Sequence, residues 1–312
     1  MIVANPIYDV IFKYLLDDTE IARELLSTIL GEEIISIEIK PQETTTENES
    51  GTINILRFDF KAVIKTKTGE IKKVLIELQK AKKSFDVMRF RRYLGDNYRK
   101  EDNILDGNGE MEIRVLPIVS IYLLGFPLDN IKNAVVKVNR EYRDVTTQEI
   151  LDVKEDFVEL LTHDSYMIQL KLLAGKTRTK LERVLQVFSP EFKTEDPQKL
   201  DFTGDADDPL IKKMLVRLNR ALASEDMRRM MDAEDEIERT FARELGKKDK
   251  IIALQNIELE VERQKIEAKD QALEAKDQAL EAKDQALESK DQALEALMKE
   301  LEELKKQIKK TI

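Results

Sequence analysis

The sequence has no cysteine and a single histidine, His163. The first absence removes disulfides and thiolate metal sites; the second removes any site built from several imidazoles. Metal chemistry in this chain would have to use carboxylates, which suit hard ions such as Mg2+ or Mn2+. No apolar run approaches the roughly 18 residues needed to span a bilayer, so no membrane association is expected. The opening residues, Met1-Ile2-Val3-Ala4-Asn5-Pro6, lack a basic region followed by an apolar stretch, and no secretory signal is read there. A cytoplasmic protein is the expectation.

What is present is charge. Of 312 residues, 37% are charged and 42% apolar, and the net charge is −10. The apolar share is enough for a core, and the length suits one or two domains plus an extension. The sign of the charge is unevenly spread. From Arg57 to Lys100 there are 14 Lys/Arg against 5 Asp/Glu, a local balance of +9 that leaves −19 for the remainder. An acidic chain with a basic tract still offers a local surface for nucleic acid.

Apolar spacing predicts a helix over Tyr8–Gly31, divided near Asp17-Asp18, and a short strand over Ile34–Ile39. Residues 42–52 read as a polar loop. Alternation then predicts two strands. Leu56, Phe58, Phe60, Ala62 and Ile64 share one face of the first. In the second, Val74, Ile76 and Leu78 face one way, and Leu75, Glu77 and Gln79 the other. A turn at Thr68-Gly69 makes them a hairpin. A basic helix is expected over Ser84–Lys100, a buried strand over Val115–Leu124 and a further strand over Val135–Tyr142. Helix is expected in most of the rest, including Phe157–Leu173, Leu181–Phe188 and Leu210–Leu222, with a linker over Ser189–Pro209.

From Glu225 onward the pattern is helical and repetitive. Ala-Lys-Asp-Gln-Ala-Leu-Glu recurs from Ala268, Ala275 and Ala282, and with serine from Ser289. Ile252, Leu259, Ile266, Leu273, Leu280, Leu287, Leu294, Leu301 and Ile308 fall at every seventh position. The second seam position is apolar near the end, at Leu297 and Leu304, and is lysine in the middle, at Lys269, Lys276, Lys283 and Lys290. Two readings stand: a solvated single helix, or a coiled coil that forms a homo-oligomer.

Chemistry is best sought at Asp59 and at Glu77-Leu78-Gln79. A hairpin in the expected register brings Asp59 near Glu77, and two carboxylates there suit a divalent cation. Gln79 would position a water, although an amide cannot take its proton. The ordinary alternative is that acids on the polar face of a strand are solvated surface. Asp9 and Lys13, at i and i+4, form either a helix-supporting ion pair or a second layer of contacts behind a metal site. Lys80, Lys82, Lys83, Arg89, Arg91, Arg92, Arg99 and Lys100, interleaved with Phe85, Phe90, Tyr93 and Tyr98, make a candidate surface for phosphate contacts. His163 reads as a helix-end histidine rather than a base.

These residues carry a family resemblance over about the first 130 positions. Asn5-Pro6-x-Tyr8-Asp9-x-x-Phe12-Lys13, Arg57-Phe58-Asp59, Ile76-Glu77-Leu78-Gln79 and Phe90-Arg91-Arg92-Tyr93 resemble the motifs of the PD-(D/E)XK nuclease family transposases, also called recombination-promoting nucleases. The resemblance implies an α/β fold with a restriction-endonuclease-like core, a mixed sheet flanked by helices. It implies metal-dependent DNA cleavage, with Asp59 and Glu77 as ligands of Mg2+ or Mn2+ and Gln79 where lysine is often found. Phe58, not proline, precedes Asp59. The expected organisation is a nuclease-like domain at 1–145, a helical region at 146–224 and a long charged helix or coiled coil at 225–312. The competing expectation is an interaction protein that keeps the fold and recruits partners through the coiled coil.

Overall fold

Alternating apolar rows between Ile34 and Gln169 organise a six-stranded mixed sheet. The structure, a computed structural model, describes residues 1–40, 43–47, 53–57, 60–80, 86–105 and 110–311. Strand β1 (Ile2–Ala4) is followed by helices α1 (Asp9–Leu16) and α2 (Thr19–Leu30). Next come β2 (Ile34–Ile39), β3 (Glu43–Glu47), β4 (Ile53–Arg57), β5 (Phe60–Thr66), β6 (Ile71–Gln79) and α3 (Asp86–Arg99). The chain continues with β7 (Asp102–Leu105), β8 (Met111–Arg114), β9 (Ile118–Leu124), β10 (Val135–Val138), β11 (Tyr142–Arg143) and β12 (Ile150–Leu151). Then follow α4 (Asp156–Leu161), β13 (His163–Gln169), α5 (Lys180–Leu185), β14 (Lys199–Asp201), α6 (Pro209–Ala223) and α7 (Glu225–Thr311). The chain divides into two compact units, Met1–Asp235 and Glu236–Ile312, and the second is helical over its described length.

The helix break expected at Asp17-Asp18 is real. The Asp18 carboxylate caps α2 by accepting from the N–H groups of Glu20 and Ile21, and Gly31 closes the helix at φ +71°.

The sheet order is β10-β13-β9-β6-β5-β2. Strands β6, β9 and β13 are mutually parallel; β5 runs antiparallel to β6, β2 to β5 and β10 to β13. The hairpin register sets Phe60 opposite Ile76 and Lys61 opposite Leu75. One face carries Phe60, Ala62, Ile64, Val74, Ile76, Leu78, Val119, Ile121 and Leu123, in a core shared with α1, α2 and α6. The other face packs Leu75 and Ile118 against Tyr93 of α3. Burial on both faces is what a central parallel strand requires.

Three expectations need correction. Phe157–Leu173 is not one helix: α4 ends at Leu161, and His163–Gln169 is strand β13. Its apolar residues Tyr166, Ile168 and Leu170 alternate with Ser165, Met167 and Gln169, a period of two hidden within a leucine-rich stretch. Segment 146–224 is thus not purely helical, and it belongs to the same compact unit as 1–145. Within the expected loop at 42–52, Glu43–Glu47 is a strand paired with β4. Val135–Tyr142 likewise divides into β10 and the start of β11.

On the α3 side of the sheet, Lys73 is 1% exposed and meets Asp102 at 2.6 Å. Breaking such a pair from one side strands a charge at a cost of about 3–5 kcal/mol, whereas replacing both partners with apolar groups can be neutral. Lys73→Met or Asp102→Leu alone should therefore lower stability by that order in denaturant titration. The double variant should recover most of the loss.

Candidate functional site

The site is built on the last residues of β6. Glu77 and Gln79 are 4% and 5% exposed, so neither lies on the solvated polar face that amphipathic strands usually present. Alternation turns them toward α3. Glu77, Leu75, Phe90, Leu94, Ser120 and Tyr122 line a small cavity large enough for about one water molecule. Tyr122 of β9 stands in register beside Glu77. Burial raises its phenol pKa and the Glu77 charge adds to this, while a hydrogen bond with Ser120 opposes it. Phe90 of α3 packs on the Tyr122 ring with centroids 5.4 Å apart. Ser120 in turn shares a hydrogen bond of 2.8 Å with Ser165 of β13.

A close backbone approach fixes the end of β6. The N–H of Gly125 donates to the Gln79 carbonyl at 2.7 Å, and a Cβ at position 125 would lie 2.4 Å from the Lys80 carbonyl oxygen. Only glycine fits there without moving the Gln79–Lys80 backbone.

Asp59 lies outside the described residues, as do Lys82 and Lys83. The hairpin pairing is described up to Phe60–Ile76, the positions next to Asp59 and Glu77. Among the described residues no group of three or more His, Asp or Glu forms a metal cluster.

Lys80 projects to the opposite side from Glu77, as alternation requires. Its ammonium lies 3.6 Å from the centroid of the Tyr8 ring and forms an ion pair with Glu234. It is therefore not part of the exposed basic face on which it was expected. Glu234 also accepts from the Asp9 N–H at 3.0 Å, and the Tyr8 hydroxyl donates to Asp235 at 2.8 Å. Burial raises the Glu234 pKa, against the pull of Lys80. The motif around Tyr8 and Asp9 thus anchors the first turns of α7. Asp9 and Lys13 make the i, i+4 ion pair, at 2.7 Å, and belong to this cluster.

Basic residues of 57–100 divide in the same way. Lys67 pairs with Glu33, Lys72 with Glu32 and Glu70, Lys73 with Asp102, and Arg99 and Lys100 with Asp96. Much of the local excess is met by acids from other segments. Arg89 lies on α3, and Arg91 and Arg92 are exposed there. Ser120 and Tyr122 were passed over in the sequence, although their alternation with Val119, Ile121 and Leu123 is legible within the apolar run.

Comparison with family models, with curated proteins and with solved structures finds no match to this chain.

His163 opens β13 directly after α4, and its Nδ1 lies 2.7 Å from the Tyr98 hydroxyl of α3. Burial lowers its pKa below the ordinary imidazole value, and the Arg140 charge adds to this. The unfolded chain therefore takes up the proton first. Stability from this group is complete above about pH 6.5 and is lost as pH falls through the folded value. As the single histidine, it should give one NMR imidazole titration with a midpoint below about 6.5. His163→Gln should flatten the decline in melting temperature across that window; an unshifted midpoint would contradict the assignment.

Proposed function

We propose that the chain is a divalent-metal-dependent DNA endonuclease of the recombination-promoting type, hydrolysing phosphodiesters on a restriction-endonuclease-like core. The observation that carries this reading is the burial of Glu77 together with Gln79 at the end of a central strand. Keeping a carboxylate from water costs several kcal/mol, and functional sites are among the places where proteins bear that cost. The sheet, with a hairpin leading into β6, a basic helix after it and parallel β9 beside it, is consistent with the core that the motifs imply.

Asp59 and Glu77 are the proposed metal ligands. Their hard oxygen donors, in a chain without cysteine, suit Mg2+ or Mn2+. A bound ion there supplies charge neutralisation and a more acidic water. Gln79 orients that water through its amide but cannot accept its proton. Arg89, Arg91 and Arg92 on α3 contact the backbone and position the duplex without reading its sequence.

A second reading, an interaction protein working through α7, is favoured by the seam. Leu294, Leu297 and Leu301 are 55%, 63% and 54% exposed. Three apolar residues at 3–4 spacing suit parallel self-association, continued in the sequence by Leu304 and Ile308. The two readings are compatible.

Nicking of supercoiled plasmid in Mg2+ or Mn2+ tests the first. Asp59→Ala and Glu77→Ala should each abolish nicking while leaving DNA affinity nearly intact, and Gln79→Ala should slow it. Nicking that survives both carboxylate changes would place the chemistry elsewhere; none in clean wild type would leave the interaction reading. Light scattering tests the second. The full chain should show a larger oligomer than a chain ending at Leu245, and equal oligomeric states would remove the association.

A further inference from the structure

Helix α7 changes character at its repeats. Before them it carries ion pairs along its own surface: Arg229 with Glu225, Arg239 with Glu236 and Lys247 with Glu244. From 251 to 303 every residue is exposed, and among the described residues no ion pair forms there. The spacing explains the change. On a helix, a side chain meets those three and four positions away. For Lys276 these are Ala272, Leu273, Ala279 and Leu280, with no acid among them. For Asp277 they include Glu274 and Glu281, and like charges at that spacing destabilise a lone helix. Each repeat thus sets its lysine among leucine and alanine on one face and gathers its acids on another. A solvated polar helix relies on many internal ion pairs, and this pattern does not supply them.

The lysines do have a place in a pair of helices. Leu273, Leu280, Leu287 and Leu294 hold the first seam position and are 61%, 61%, 64% and 55% exposed. Lys269, Lys276, Lys283 and Lys290 hold the second. In a parallel pair, each seam residue enters a hole of four residues on the facing helix. For the second position, that hole includes the flanking first-position residues and the residue just after the second position. Here that last residue is Asp270, Asp277, Asp284 or Asp291. The lysine stem lies on leucine while its ammonium reaches aspartate. Two lysines meet at each such layer, and the two aspartates beside them cancel their charge. An antiparallel pair would set aspartate against aspartate along that flank. The pattern is therefore self-complementary in one orientation.

We propose that the repeats of α7 are a charge-selective pairing surface for a second, parallel copy of this chain, in which each repeat lysine meets the aspartate that follows its counterpart. The proposal rests on the self-association reading, which placed the contact at the apolar end from Leu294, and extends it to the repeats. Because the repeats are alike, a slip of seven residues keeps most of these pairs. Leu297 and Leu301 at the apolar end then select the register.

Sedimentation equilibrium of the full chain at low and high salt provides the test. Wild-type association should weaken toward about 1 M salt, where the Debye length is roughly 3 Å. Asp270→Lys, Asp277→Lys, Asp284→Lys and Asp291→Lys together should weaken association at low salt by about tenfold or more, and added salt should then strengthen it. The same changes create Lys–Glu pairs within each helix, so helix content by circular dichroism should hold or rise. That separates lost pairing from lost helix. A second variant, with Lys269→Asp, Lys276→Asp, Lys283→Asp and Lys290→Asp, should also fail to pair with itself. Mixed with the first, it should form a heterodimer in native mass spectrometry. Ile266→Cys, the single cysteine in its chain, should cross-link to its counterpart on oxidation; an associating protein that does not cross-link would be antiparallel and would overturn the proposal. If the four Asp→Lys changes leave association and its salt dependence as in wild type, the repeats are a spacer: the proposal falls and the apolar-end reading stands. A monomeric wild-type chain would remove both.

Discussion

Strand β6 is covered on both faces, so every polar group on it must find its partner inside the protein. Its apolar row joins the large core with α1, α2 and α6. Its other row is Lys73, Leu75, Glu77 and Gln79, all buried under the α3 side. A central strand filled with valine and isoleucine would be easier to bury. Three polar residues in four alternate positions set the surrounding structure instead. Lys73 requires Asp102, which β7 supplies. Glu77 lies beside Tyr122 and below Phe90. The end of the strand requires Gly125 at the next strand's exit.

Part of the charge in this protein is settled at long range. The basic tract of the sequence looked like one surface, yet its members leave from both faces of the sheet and from its edges. Those near the helix layer meet Glu32, Glu33 and Glu234, whereas those near α3 meet Asp96 and Asp102. Among the described residues the exposed basic surface is narrower than the composition suggested, and Arg91 and Arg92 of α3 belong to it.

The sequence made the hairpin legible because its signal is local. Period-two alternation on either side of Thr68-Gly69 shows which residues share a face, and the strands pair as a hairpin with Phe60 opposite Ile76. The side to which Lys80 points followed from the same rule. Strand β13 was not legible, because six residues of helix precede it and leucines at 160, 161, 170, 172 and 173 imitate helical spacing. Only pairing with β9 and β10 decides its conformation. The partners of the buried charges were not legible either. Nothing in the local pattern links Lys80 to Glu234, 154 positions later. The burial of Glu77 likewise depends on α3 lying over it, which the strand's own alternation does not state.

Closure between the first residues and those near 235 bears on how the chain is made. Strand β1 pairs with β14, and the Tyr8 hydroxyl bonds to Asp235, 227 positions away. Val3 and Ala4, fully buried in the finished unit, have no complete housing until α6 exists. At ordinary rates of translation the amino-terminal segment therefore waits on the order of tens of seconds for its partners. The β5–β6 hairpin, by contrast, pairs residues that leave the ribosome close together. The start of α7 supplies the last of these contacts, the carboxylates of Glu234 and Asp235 that receive the Asp9 N–H and the Tyr8 hydroxyl.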